Sequence, residues 1–226
     1  MANTPRTPLK EREFPNYSPR EEKANALSHA IGAALSVLLM VMAVRKAMFN
    51  PAPYALFSSI FYSISILLMF SVSSIYHGLP KGTAKQVMRV VDHCNIFLTI
   101  VGCYVPIMMV AVMRTNPAMA RTVLTIEVVL AVIGVILNAI DLKKYSKTSM
   151  ACYIAMGWCV IISLRATIEA MTLKGFLWIL AGGIAYSIGA ILYGVGKKKP
   201  YRHLIFHIFV IIAAILQYIG IYFFVL

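Results

Sequence analysis

Two histidines, His203 and His207, lie four residues apart near the start of the last apolar stretch of the chain. On a helix this spacing places both imidazoles on one face, one turn apart, where two ring nitrogens can converge on a single cation. A metal site needs more than two ligands. The rest of the sequence must therefore supply the other ligands and the helices that position them.

The composition indicates an integral membrane protein, because 60% of the 226 residues are hydrophobic and only 13% are charged. A membrane-spanning helix needs about 20 mostly apolar residues. Seven stretches meet this requirement, at residues 26–45, 54–77, 92–113, 122–140, 149–169, 175–196 and 203–226. We predict an all-α fold in which residues 21–226 form one seven-helix transmembrane domain.

The first 20 residues are polar and contain four prolines, which predicts a flexible tail and not a signal peptide. At the end of this tail, Glu21 and Glu22 follow Pro19, and acidic residues are favoured in the first turn of a helix. The first helix is therefore expected to begin close to Pro19 and to continue into the first span.

The distribution of basic residues predicts the orientation of the spans. Fifteen of the 21 lysines and arginines lie in the tail and in the second, fourth and sixth connections. The positive-inside rule then places the N-terminus in the cytoplasm and the C-terminus outside, in a multi-pass protein of the cell membrane. The same bias accounts for the net charge of +13, so nucleic acid is not expected as a partner.

In this orientation the polar residues of four spans lie at one membrane depth, near the cytoplasmic face. An ionisable group in a transmembrane helix costs about 2.5 to 3.5 kcal/mol on insertion and usually faces a partner or a cavity. Several such groups at one depth predict a shared site. Besides the histidine pair, the residues concerned are Glu22, Asn25, His29, Ser73, His77 and Asp92.

Three imidazoles with a nearby carboxylate match a catalytic zinc site, which uses three protein ligands and leaves a fourth position for water. We predict that His77, His203 and His207 bind Zn²⁺. The residues between His203 and His207 include no acid, so Asp92 is the candidate general base. Ser73, one turn before His77, is expected to orient the water or the substrate.

Glu22, Asn25 and His29 are expected to support the ligands from the first helix. Alternatively, the polar residues form a hydrogen-bonded interfacial network or a proton relay without a metal. Two residues are expected outside the site. His93 is turned by about 100° from Asp92 on the helix. Glu127 is expected to pair with Arg121 or to be solvated at the outer interface.

These residues carry a resemblance to a known family. Ser73-x-x-x-His77, Asp92 and His203-x-x-x-His207 resemble the pattern of the progestin and adipoQ receptor family, in a wider group of seven-span metal-dependent hydrolases that includes alkaline ceramidases. Glu22-x-x-Asn25-x-x-x-His29-x-x-Gly32 and Gly102-x-Tyr104-x-Pro106 resemble its bacterial hemolysin III-type branch. The resemblance covers residues 21–226.

The resemblance implies a zinc ion held by the three histidines, an aspartate contacting the zinc-bound water, and a seven-helix bundle with its N-terminus inside. Members best understood as hydrolases act on lipid amides such as ceramide. We therefore expect membrane lipids as partners and hydrolysis of a lipid amide or ester at the cytoplasmic side of the bilayer. The alternatives are a zinc-stabilised receptor or sensor, favoured if Asp92 completes a closed site with four protein ligands, and a hemolysin-like pore.

Overall fold

The computed structural model describes residues 7–195 and 199–226, and this part of the chain is helical without a strand. Residues 1–6 of the predicted tail and residue 196 at the end of the predicted sixth span lie outside the described residues. The helices are α1 (Pro19–Met48), α2 (Ala55–Gly78), α3 (Thr83–Pro106), α4 (Pro117–Asp141), α5 (Ser146–Gly157), α6 (Leu164–Val195) and α7 (Arg202–Phe224).

Six helices among the described residues are long and apolar enough to cross a membrane: α1, α2, α3 with its continuation to Thr115, α4, α6 and α7. Their outward surfaces carry large apolar side chains, such as Leu38 at 58% exposure and Val132 at 53%. Exposed apolar surface on this scale suits hydrocarbon and not water. The prediction of an all-α integral membrane protein is confirmed.

The predicted fifth span, residues 149–169, is not one continuous helix. Helix α5 ends at Gly157, a 3-10 turn follows at Cys159–Ile161, and α6 begins at Leu164. The side chain of Tyr104 joins the two sides of this break. Its hydroxyl accepts a hydrogen bond from the Val160 amide at 2.7 Å and donates one to the Gly157 carbonyl at 3.3 Å.

A second interruption lies inside α6, where Thr172 has φ 67° and ψ 159°. The chain from α5 to the part of α6 after Thr172 leads from one end of the bundle towards the other. In α5, the Tyr153 hydroxyl donates to the His93 carbonyl at 2.7 Å, whereas a Cβ at Gly175 would lie 2.7 Å from the Cβ of Phe224 at the end of α7. The seven-span count and the orientation stay predictions.

Helix α1 begins at Pro19, as predicted, because Ser18 and Glu21 form a capping box. The Ser18 amide donates to Glu21 at 2.9 Å, and the Glu21 amide donates to the Ser18 hydroxyl at 3.2 Å. The other carboxylate oxygen of Glu21 accepts from the Tyr201 amide at 2.7 Å. These bonds bring the start of α1 next to the start of α7.

Residues 7–18, here called the N-terminal strap, are bound to the bundle. Arg12 donates to the Ile140 carbonyl at 2.8 Å, and Arg89 donates to the Glu13 carbonyl at 2.7 Å. The strap therefore bridges the end of α4 and the start of α3. Side chains of the bundle therefore bond to backbone groups in the described part of the predicted tail, and its flexibility stays a prediction.

Helix α3 packs tightly against α2 and has a proline, Pro106, at its end. A Cβ at Gly102 would lie 2.0 Å from the Ser65 hydroxyl oxygen, so no larger residue fits between the two helices. After Pro106 the chain continues as a π-helical segment, Ile107–Val112. Proline lacks the amide hydrogen that an α-helix needs, and a π-helical segment is one way to accommodate that loss.

Candidate metal centre

Three histidine side chains from two helices meet at the end of the bundle where α1, α3 and α7 begin and α2 ends, here called the histidine end. The Nε2 atom of His203 lies 3.1 Å from Nε2 of His77 and 3.0 Å from Nε2 of His207. Ligand atoms of all three lie within 4.8 Å of one another. His77, His203 and His207 are called the histidine cluster below.

Helix α1 supplies the outer partners of two of these rings. Glu22 Oε2 lies 2.6 Å from Nδ1 of His77. The Ser28 hydroxyl lies 3.1 Å from Nδ1 of His207 and donates to the Asn25 carbonyl at 2.8 Å. An imidazole whose Nδ1–H is given to a carboxylate presents the Nε2 lone pair on its other side.

The predicted supporting residues Asn25 and His29 lie beside His207. The His29 ring stacks on the His207 ring, with centroids 3.6 Å apart and planes 18° apart. Asn25 is buried, and its backbone lies within hydrogen-bonding reach of His207. The structure therefore brings all three predicted α1 residues against the histidine cluster, although Asn25 contributes its backbone and not its amide.

The predicted catalytic pair lies on the facing sides of α2 and α3. The Ser73 side chain is within hydrogen-bonding reach of the Asp92 carboxylate. Ser73 is buried, and the Asp92 side chain is 16% exposed. Asp92 does not belong to the group of converging ligand atoms. His93 is also outside that group, as predicted, and its Nδ1 lies 2.9 Å from the Arg89 carbonyl.

The histidine cluster is covered by Tyr17 of the N-terminal strap. The Tyr17 ring stacks on His203, with centroids 5.2 Å apart and planes 20° apart, and lies 6.0 Å from the His77 ring. Burial and the neighbouring Tyr193 raise the pKa of the Tyr17 phenol above its usual value.

The residues present fit a bound metal ion. A neutral imidazole nitrogen offers either one N–H or one lone pair, so His203 Nε2 can form a well-directed hydrogen bond to only one of its two neighbours, and the other close contact is left without one. A cation between the nitrogens removes this conflict. Zinc–nitrogen bonds of about 2.0 to 2.1 Å in a tetrahedral site separate the nitrogens by about 3.3 Å, close to the 3.0 and 3.1 Å separations in the protein.

Three contributors to this region were missed from the sequence. Ser28 carried a usable signal, because it lies three residues after Asn25 on the face of α1 that also holds His29. Lys85 resembled Lys81 and the other loop lysines that set the charge bias. Tyr17 lies in the tail, and a polar tail gives no sign of which side chain will reach the bundle.

Glu127 corrects a further expectation. The residue was expected to pair with Arg121 or to be solvated, but it is 0% exposed and faces the core from α4. The Cys159 thiol is its polar neighbour, and neither carboxyl oxygen makes a hydrogen bond of ordinary geometry. Cys159, in the 3-10 turn after α5, is itself buried against this part of α4.

Comparison with known proteins relates the chain to bacterial membrane proteins. A sequence profile described as Haemolysin-III related matches residues 17–218. Hemolysin-3 of Bacillus cereus is 32% identical over 207 residues, which cover 92% of this chain and 93% of that protein. The Hemolysin-3 homolog of Bacillus subtilis is 30% identical over 195 residues, 86% of this chain and 90% of that protein. With the apolar helices, these relatives support a multi-pass location in the bacterial cell membrane.

A more distant similarity extends to animals. The human Monocyte to macrophage differentiation factor is 25% identical over 171 residues, which cover 71% of this chain and 67% of that protein. The range that the Haemolysin-III-related profile matches includes every residue of the histidine cluster and its supports on α1. The chain belongs to the Haemolysin-III-related family.

Proposed function

We propose that the protein binds zinc through His77, His203 and His207 and hydrolyses a lipid amide or ester at the histidine end of the bundle. The convergence of three imidazole nitrogens, with His203 Nε2 about 3 Å from each of the other two, is the observation that carries the proposal. Two of the three imidazoles, those of His77 and His207, are buried and have their outer nitrogens held by α1, as is typical of metal ligands.

A catalytic centre is favoured over a closed structural one. A structural zinc site has four protein ligands, whereas a catalytic site has three and an open position. The group of converging ligand atoms contains three histidines, and Asp92 is not part of it. This arrangement supports a hydrolase in preference to a receptor with a sealed zinc site.

The roles of the chain's own residues follow from their contacts. When bound, zinc acts as a Lewis acid towards a carbonyl and lowers the pKa of water to about 7. Asp92 is proposed to take a proton from the attacking water and to return it to the leaving group. The Ser73 hydroxyl, which is within reach of Asp92, is proposed to hold that carboxylate in place. Glu22 and Ser28 orient His77 and His207.

An apolar cavity supports a lipid substrate. The cavity is partly open and lies between α1, α2 and α7. It begins one turn beyond the histidine cluster, with Gly32 and Phe70 on its wall, and it extends along α7 from Ile211 to Tyr218. The Phe70 ring also contacts His29 edge-on, with centroids 5.2 Å apart. An acyl chain in this cavity would leave the adjoining carbonyl near the histidines.

Metal analysis tests the first half of the proposal. Purified wild-type protein is expected to contain about one zinc per chain, and His77→Ala, His203→Ala and His207→Ala are each expected to lose most of it. His93→Ala is the matched control, because His93 is a nearby histidine outside the group of ligand atoms. Unchanged metal content in all three ligand variants would overturn the zinc site.

Lipid turnover tests the second half. The zinc-loaded protein in vesicles is expected to hydrolyse at least one member of a panel of N-acyl sphingoid bases and glycerolipid esters. Asp92→Asn is expected to lower the rate about 100-fold or more while zinc content is retained, because general base catalysis contributes about 10² to 10⁴-fold. A protein that retains zinc and turns over no lipid in the panel would contradict the enzymatic role.

A further inference from the structure

Lys85, near the start of α3, is a buried lysine with an unusual set of partners. The residue is only 2% exposed. Its ammonium group donates to the carbonyls of Tyr76 at 3.0 Å, His77 at 3.2 Å and Leu79 at 2.9 Å. These carbonyls lie at the C-terminal end of α2, at and beside His77 of the histidine cluster. The four-residue connection between α2 and α3 is short enough to fold the lysine back onto them.

The same ammonium group pairs with Glu22 of α1. Lys85 Nζ lies 3.1 Å from Glu22 Oε1, while Oε2 of the same carboxylate lies 2.6 Å from Nδ1 of His77. The two oxygens thus have different partners, one a cation and the other an imidazole. Because Lys85 holds Oε1, a rotation of the carboxylate that moved Oε2 away from His77 would also break the ion pair.

We propose that Lys85 is a positioning residue of the metal centre, which holds the Glu22 carboxylate so that it accepts the Nδ1–H of His77 and leaves Nε2 of His77 free to bind metal. The ammonium group balances the negative charge of a carboxylate whose side chain is only 20% exposed. An unbalanced charge in that position would be costly. This inference rests on the proposed zinc site, and it adds a residue that touches neither metal nor substrate.

Lys85 has a second candidate role, because its bonds to the three carbonyls also cap the C-terminus of α2. A purely capping lysine would affect the stability of α2 whatever residue stood at position 22. A lysine that acts through Glu22 would affect metal binding only while Glu22 can hold His77. The two roles therefore predict different coupling between positions 85 and 22.

A double-mutant cycle separates these roles, with zinc affinity measured by chelator competition. Lys85→Met is expected to weaken zinc binding about 10-fold, since outer partners of metal-bound histidines contribute about 10 to 100-fold. In the Glu22→Gln background the same change is expected to have less than a twofold effect. Lys85→Arg keeps the charge and is expected to restore part of the affinity. Lys81→Met, at an exposed position in the same connection, is the control and should match wild type.

Nitrogen NMR on metal-stripped protein gives a readout that needs no zinc. With ¹⁵N-labelled histidine and assignment by His77→Ala, the His77 ring is expected to carry its proton on Nδ1 in wild type and Lys85→Arg. In Lys85→Met the signal is expected to move towards a mixture of tautomers.

The two readouts distinguish failure of this inference from failure of the zinc proposal. An equal loss of affinity on Lys85→Met with and without Glu22, or an unchanged His77 tautomer in Lys85→Met, would overturn the positioning role. Wild-type protein that binds no zinc would overturn the zinc proposal, and the NMR result alone would then decide whether Lys85 sets the His77 tautomer.

Discussion

The rings of the histidine cluster come from α2 and α7, yet their outer contacts come from the start of the chain. Glu22 holds His77, Ser28 and His29 contact His207, and Tyr17 of the strap covers His203. Helix α1 therefore contributes none of the three converging rings but contacts two of them. Substitutions on its inner face should change metal affinity without removing a ligand.

Ser28 offers a sharp test of this support. Ser28→Ala removes the hydroxyl that lies 3.1 Å from His207 Nδ1, and we expect zinc affinity to fall about 10-fold. Ser36→Ala is the matched control, because the Ser36 hydroxyl makes the same type of bond to a carbonyl three residues earlier in α1. Equal affinities of the two variants, measured by chelator competition, would show that Ser28 does not position His207.

Glu127 allows a prediction on stability. The side chain is fully buried without a hydrogen bond of ordinary geometry, and a buried charge without a partner is costly. Glu127→Gln keeps the shape and cannot carry a charge, so its melting temperature should equal or exceed that of wild type. The exposed Glu169→Gln, which loses an ion pair with Arg165, should change little. A large decrease for Glu127→Gln alone would show that the carboxylate has a partner.

Among the larger elements, the N-terminal strap closes the histidine end. Because Tyr17 stacks on His203, we expect Tyr17→Ala to speed the removal of zinc by a chelator several-fold while equilibrium affinity changes less. Phe49→Ala, at an 86% exposed position just beyond the end of α1 far from the cluster, serves as the control. If Tyr17→Ala loses zinc to the chelator at the wild-type rate, the strap does not limit access to the histidine cluster.

The interruption of α6 at Thr172 has a measurable energetic cost. Thr172 has φ 67°, a conformation that costs a non-glycine residue on the order of 1 to 3 kcal/mol. Thr172→Gly should therefore raise the free energy of unfolding by about 1 kcal/mol. Thr125→Gly, at an exposed position within α4, should lower it by a similar amount because glycine disfavours a regular helix. Thr172→Gly also loses the weak hydrogen bond that the Thr172 hydroxyl accepts from the Gly175 amide at 3.4 Å, so a decrease as large as that of Thr125→Gly would contradict the strain.

The sequence predicted helix ends better than helix breaks. The start of α1 was predicted from Pro19, Glu21 and Glu22, which favour a helix N-terminus through local effects. The break after Gly157 lies within continuous apolar sequence, and its geometry depends on the Tyr104 hydroxyl from another helix. Periodicity cannot report a contact of this kind. The same limit hid Lys85, since only the fold distinguishes it from Lys81.

For the molecule as a whole, metal and fold should be linked. A ligand that binds only the folded state stabilises it by about 2.7 kcal/mol at a free concentration one hundred times its dissociation constant. Removal of zinc by a chelator should therefore lower the melting temperature of wild type by several degrees. The same treatment should have little effect on His203→Ala. A chelator effect of equal size in both proteins would show that it does not act through the histidine cluster.

The overall architecture was the most predictable level, because composition and span length are properties of long segments. The all-α membrane fold required only that apolar residues run for about 20 positions at a time. The grouping of His77 with His203 and His207 also followed from the alternation of spans, which brings the end of α2 and the start of α7 to one end. Contacts from the tail and from single buried polar residues required the three-dimensional structure.

The separation of the ligands along the chain has a consequence for biogenesis. His77 and His203 lie 126 positions apart, and His207 follows in the last helix. A chain emerging from the ribosome therefore lacks two of the three imidazoles until α7 has been synthesised and inserted. Loading of the proposed zinc must therefore follow the insertion of α7, and a bound ion would mark a bundle in which α7 has joined α1 and α2.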